Sequence, residues 1–164
     1  MRRRVDRCFT VSTAQGSSTY RYPKLLTFAL PSTVSDNYSD RFEQLKLLNS
    51  RLPRARALLL ERGIRGGVYV LECTSRLVPL DGGGALLEWK HHAHVHMVAI
   101  GPYMKRDRFL AFSECLQPIG LGRINYKAMS TQRAARRRVS NYISKYLVKE
   151  GLTSRTWGIM RNGK

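Results

Sequence analysis

The residues best suited to chemistry in this 164-residue chain lie between Trp89 and Ile100, a stretch that holds all four histidines. His91-His92-Ala93-His94-Val95-His96 runs directly into Met97-Val98-Ala99-Ile100. In an extended strand, successive side chains alternate between faces. His92, His94 and His96 therefore share one face with Val98 and Ile100, while Ala93, Val95 and Met97 line the other. Two imidazoles held two residues apart on a stiff strand can both reach one metal ion, and histidine is the commonest metal ligand. A polar row at the wet end of a strand would use the same residue type, but three alternating histidines feeding a buried apolar run favour a site. Upstream, Glu72 stands on the same side of its own strand as Val68 and Val70. It is a charge in an apolar row that requires a partner, and a metal shared with His94 and His96 would provide one. Glu88 is the alternative carboxylate.

A second group lies near the C-terminus, Tyr142-Ile143-Ser144-Lys145-Tyr146-Leu147-Val148-Lys149. At helical spacing Tyr142, Lys145, Tyr146 and Lys149 fall on one stripe, and Val139, Ile143 and Leu147 fall on the adjacent stripe, which would dock on a sheet. The tyrosines then sit at the margin of the buried face. They suit either amphipathic filling, with lysines reaching outward, or a phenol presented to a metal site.

Positioning these groups falls to a basic chain. Lys plus Arg number 29 against 11 Asp plus Glu, for a net charge of +18. Such an excess works against compactness and favours a polyanionic partner, with nucleic acid preferred over an anionic membrane surface. The charge is clustered at Arg2-Arg3-Arg4, at Arg51, Arg54 and Arg56, and at Arg133 with Arg136-Arg137-Arg138. These last four arginines and Lys149 are the expected nucleic-acid contacts. Cys8, Cys73 and Cys115 are widely spaced and form no C-x-x-C, so they read as reduced thiols. No secretory signal and no membrane-length apolar stretch is evident, which points to the cytoplasm. No Walker-type phosphate loop is present.

Residues 1–20 lack periodicity and read as a flexible basic arm, leaving 21–164 as a single domain. Lys24–Leu30 suits a buried strand. Asp40 and Glu43 resemble a capping box opening a helix through Phe42, Leu45, Leu48 and Leu52, which Pro53 should end or kink before a second helical piece runs to Gly63. Val68–Cys73 and about 86–100 should form a hairpin across the Asp81–Gly84 turn, placing Glu72 opposite some position between His91 and His96. A helix over 105–116, a strand near 120–126, a helix over about 131–150 and a short strand at 155–160 complete the chain.

The His94-Val95-His96 strand, the upstream acid and the downstream Tyr-x-x-Lys-Tyr helix together resemble the HUH endonuclease superfamily. The doubled tyrosine element is similar to that of the two-tyrosine rolling-circle replication initiators of small single-stranded DNA phages. Leu25-Leu26-Thr27-Phe28 stands where that family's first, mainly structural, motif would be, and Trp157-Gly158 resembles the strand that often follows the tyrosine helix. The resemblance spans roughly 22–161 and departs from the family at the long Ser75–Ala85 segment and in having no helicase domain.

What it implies is an α+β fold, a central antiparallel sheet with flanking helices in an RRM or ferredoxin-like arrangement. It further implies Mg²⁺ or Mn²⁺ held by His94, His96 and Glu72, with Tyr142 and Tyr146 as nucleophiles assisted by Lys145. The activity would be nicking and joining of single-stranded DNA at a replication origin through a 5′-phosphotyrosine, with unwinding and synthesis left to a host helicase and polymerase in the host cytoplasm. A two-tyrosine transposase, a relaxase and a non-catalytic basic nucleic-acid-binding module are the alternatives.

Overall fold

The structure is a computed structural model that describes residues 2–14, 23–79, 86–128, 134, 137–142 and 154–161. Its centre is a five-stranded sheet. The strands are β1 (Lys24–Ala29), β2 (Gly66–Pro79), β3 (Leu87–Ile100), β4 (Gly122–Ala128) and β5 (Arg155–Gly158). Their spatial order is β4-β1-β3-β2-β5, with every neighbouring pair antiparallel. Helices α1 (Arg2–Ala14), α2 (Ser32–Ser35), α3 (Arg41–Glu61) and α4 (Arg106–Leu116) accompany it, with a 3₁₀ turn at Gln117–Ile119. From β1 to β4 the order β-α-β-β-α-β is that of ferredoxin-like folds, so the expected α+β class holds.

Alternation along the strands divides the core in two. On one face Leu26, Phe28, Tyr69, Cys73, Ala93, Val95, Met97 and Ala99 pack against Leu48, Leu52, Ala55 and Leu59 of α3 and Phe112 and Leu116 of α4. On the other, Val68, Val70, Val98 and Ile100 pack against Val5, Cys8 and Phe9 of α1, with Val139 at the margin. Each face of β3 therefore has its own helical cover, which is why its C-terminal half is apolar on both sides.

Two expectations are corrected. The flexible arm does not hold for residues 2–14, which form α1. Val5, Cys8 and Phe9, spaced by three and one, are fully buried on β2 and β3, while Arg3 and Arg4 are exposed and Arg7 is partly exposed. The apolar stripe was short and hidden among Arg, Ser and Thr. Residues 15–22 lie outside the described residues. Pro53 also fails to end its helix: α3 runs through it for 21 residues. A proline inside a helix costs about 3 kcal/mol, but Leu48, Leu52, Ala55 and Leu59 continue one buried stripe across it, and that packing outweighs the missing N–H. At the N-terminus of α3 the Asp40 carboxylate accepts from Phe42 N at 2.8 Å, as a cap should.

The β2–β3 hairpin is longer than the sequence pattern indicated. Pairing runs without a break from Gly66↔Ile100 to Pro79↔Leu87, so Ser75–Pro79 continues the ladder as strand; residues 80–85 lie outside the described residues. β5 ends at Gly158, whose φ of 57° is left-handed. A Cβ there would collide with the Arg65 carbonyl, and that carbonyl accepts from Ile159 N at 3.1 Å, closing the chain onto the start of β2.

Candidate metal centre

The hairpin register sets Glu72 directly opposite His94, and β1 places Thr27 beside His96. The three side chains converge on the α1 face. Glu72 Oε2 lies 2.9 Å from His94 Nε2 and 3.0 Å from His96 Nε2. The ligand atoms of the trio all fall within 4.8 Å of one another. Glu72 is 5% and His96 4% exposed, and His94 is half-buried. Of the expected site residues these three are brought together as the sequence reading required. Two imidazole nitrogens and one carboxylate oxygen, converging in a partly dry recess, could hold a metal ion, offering it both nitrogen and harder oxygen donors.

Electrostatics point the same way. Burial lowers the His94 pKa from 6.5 to about 4, with the neighbouring His92 charge adding to the effect. Burial also lowers His96, overcoming the upward pull of its hydrogen bond to Glu72. Both imidazoles are thus held neutral at pH 7, the form that ligates a metal.

Two residues that the sequence reading did not assign to the site support it. Thr27 Oγ1 is 3.2 Å from His96 Nδ1. A hydroxyl can donate or accept, so it orients the ring whether the proton sits on Nδ1 or Nε2. Gln44, fully buried on α3, donates from Nε2 to the carbonyls of Ser35 and Tyr38 (both 2.9 Å) and His91 (3.0 Å), and its Oε1 accepts from Ala93 N at 3.2 Å. β1 ends opposite His94, and the Gln44 amide continues the ladder beyond that point, fixing the backbone on both sides of His92. Both residues carried a faint signal: Thr27 is the polar residue inside Leu25–Leu30, and Gln44 opens the apolar stripe of α3.

The other histidines are engaged elsewhere. His92 Nε2 donates to the Leu30 carbonyl at 2.9 Å, and His91 Nδ1 lies 2.7 Å from Ser75 Oγ. Glu88 is out at the hairpin end, 3.4 Å from Lys90 Nζ, and takes no part.

Residues 137–142 are helical, and Val139 packs against the core on the α1 face. This carries Tyr142 to the trio, where its ring stands 5.6 Å from that of His96 at 87°, edge to face. Tyr142 is 41% exposed, so its phenol borders both the site and solvent. Lys145, Tyr146, Lys149, Arg133 and Arg136 lie outside the described residues; Arg137 and Arg138 are exposed. Among the described residues no helix is long and apolar enough to cross a membrane. No known family model matches the chain, and no curated protein matches it either.

Proposed function

We propose that the protein is a metal-dependent single-stranded DNA nickase and strand transferase of the HUH kind, starting rolling-circle replication. The observation that carries this reading is the convergence of Glu72, His94 and His96 with the Tyr142 ring at their border. A tyrosine placed beside a His-His-Glu cluster, in a chain of net charge +18, suits covalent attack on a phosphodiester better than it suits simple nucleic-acid binding.

A divalent cation, when bound, supplies Lewis-acid polarisation of the scissile phosphate. Glu72, His94 and His96 would hold it, with Thr27 orienting the His96 ring. Tyr142 supplies the nucleophile: its phenolic oxygen forms a bond to phosphorus, the bond from phosphorus to the 3′ oxygen breaks, and the 3′ oxygen takes up a proton. The products are a 5′-phosphotyrosine and a free 3′-OH that can prime synthesis. An unperturbed phenol has a pKa near 10, so nearby positive charge must favour its deprotonation, the part proposed for Lys145. Because the phosphoester energy is kept in the covalent link, the same site can rejoin strands without ATP, and Tyr146 provides the second nucleophile that a strand exchange needs.

The test is incubation of the protein with a mixture of single-stranded oligonucleotides and Mn²⁺, followed by a denaturing gel. A protein band shifted by covalent DNA, dependent on metal, supports the proposal. Stable binding without any covalent species under all sequences tried argues for a non-catalytic module instead.

A further inference from the structure

Four arginines, Arg4, Arg56, Arg155 and Arg161, surround a groove of about 450 Å³ at the β5 edge of the sheet, and among the described residues no carboxylate lines it. The groove forms where the two helical layers meet around the edge strand. Arg4 comes from α1 on the metal-site face, Arg56 from α3 on the opposite face, and Arg155 and Arg161 from β5 and the turn after it.

The arrangement is built, not incidental. Arg4 Nη1 donates to both the carbonyl and the hydroxyl of Ser154, the latter at 2.6 Å. Arg155 Nη1 donates to Asn49 Oδ1 at 3.1 Å. Neutral acceptors orient two guanidiniums, and among the described residues no carboxylate in the groove compensates their charge. Concentrating like charges in a concavity without counter-charge raises the local potential, and the favourable resolution is an anion. Arginine's planar fork suits phosphate oxygens in particular. At the floor Tyr69 is only 4% exposed, so its ring offers no open face for a base. The groove is fitted to a sugar-phosphate backbone, which carries no sequence information.

Its position relates it to the metal centre. β5 pairs with β2 only over Gly66–Tyr69, and the groove opens where that pairing stops. Three residues further along the same strand is Glu72, about 10 Å away at strand rise; its side chain points to the α1 face, from which Arg4 reaches the groove, while Tyr69 points to the α3 face. A chain held near Glu72 that runs along the β2 edge arrives at the groove.

We infer that this groove binds the phosphodiester backbone of the nucleic-acid strand at a second point, anchoring it outside the metal centre. The inference rests on the nucleic-acid reading above but not on catalysis. It is tested with Arg56→Gln/Arg161→Gln, which spares the two arginines that also hold Ser154 and Asn49. The control is Lys105→Gln/Arg106→Gln, an equal loss of charge at the start of α4, which contacts β4 at the opposite edge. Binding of a fluorescent single-stranded oligonucleotide is measured by anisotropy in EDTA across a salt series.

Losing two phosphate contacts lowers the salt slope by about 1.4 and, carried from 1 M to 0.1 M salt, the affinity by about 25-fold. That result in the groove variant, without a comparable change in the control, supports the site. Equal effects in both variants overturn it. Groove-dependent binding of ATP with no groove-dependent binding of the oligonucleotide assigns the site to a small phosphorylated ligand and overturns the backbone assignment. No oligonucleotide binding by the wild type would remove the nucleic-acid reading and this inference together. Normal groove-dependent binding with no covalent adduct would remove only the nickase reading.

Discussion

Replacing Glu72 separates what the metal contributes from what the apo site contributes. Its Oε2 receives both imidazoles, at 2.9 and 3.0 Å, and the residue is 5% exposed. Glu72→Ala removes two hydrogen bonds to a charged acceptor, each worth about 1.5–3 kcal/mol, but also relieves the burial of a carboxylate, a penalty of several kcal/mol. These oppose each other, so the metal-free stability should move little. The metal-linked part behaves differently. At a Mn²⁺ concentration about 100 times Kd, binding stabilises the native state by about 2.7 kcal/mol. In a chain of this size each kcal/mol raises Tm by roughly 2–4 °C, so the wild type should gain about 5–11 °C over its value in EDTA. Calorimetric melts with and without Mn²⁺ read this directly. Glu72→Ala and the near-isosteric Glu72→Gln should lose most of the gain. Either variant keeping the full metal-dependent shift refutes the role assigned to this carboxylate.

His94→Ala and His96→Ala should each abolish covalent adduct formation on a denaturing gel while leaving oligonucleotide affinity unchanged by anisotropy. His92→Ala should be milder, because its ring donates to the Leu30 carbonyl. Acid should destabilise the metal-free protein over a defined window. The His94 pKa falls from 6.5 unfolded to about 4 folded, so the unfolded chain binds more protons between those values. The stability is intact above pH 6.5 and is lost as pH falls through about 4, by roughly 3 kcal/mol at about 1.4 kcal/mol per pKa unit. Urea titrations from pH 7.5 to 4 should show that slope reduced in His94→Ala; an unchanged slope contradicts the assignment. Gln44→Leu strands the Ala93 N–H and takes the Gln44 donor from the Tyr38 and His91 carbonyls, while the Ser35 carbonyl keeps its bond from Tyr38 N; each lost partner costs about 1–3 kcal/mol. Chemical denaturation should show a loss of at least one such penalty, and the Mn²⁺-dependent Tm shift should shrink with it.

Strand period and the histidine spacing carried most of the site. Alternation assigned His94 and His96 to one face, and the apolar row around Glu72 demanded a partner before any register was known. Register then made Glu72↔His94 a direct pair. What the chain did not disclose was long-range. Among its described side chains α1 buries Val5, Cys8 and Phe9 fully and Val11 in part, a stripe too short to stand out among arginines until the sheet presents Val68, Val70, Val98 and Ile100 to it. Pro53 is read locally as a breaker, yet the packing of Leu48, Leu52, Ala55 and Leu59 decides the outcome. The sequence assigns Gln44 no role because its partners, the His91 carbonyl and the Ala93 N–H, are 47 and 49 positions away. The arginine groove is also invisible in sequence, since Arg4 and Ser154 meet across 150 positions.

The covalent step is tested most directly by mapping the DNA-linked peptide. Lys145 lies between the tyrosines, so trypsin releases Val139–Lys145 and Tyr146–Lys149 as separate peptides carrying one tyrosine each. After reaction of the wild type with a cleavable single-stranded oligonucleotide and Mn²⁺, and nuclease trimming, mass spectrometry should find the nucleotide remnant on Val139–Lys145, whose Tyr142 ring stands 5.6 Å from His96. Tyr142→Phe should remove the initial nick and Tyr146→Phe should leave it. A remnant found only on Tyr146–Lys149 would contradict Tyr142 as first nucleophile. A remnant on neither peptide, with strand cleavage intact, would contradict the covalent mechanism itself.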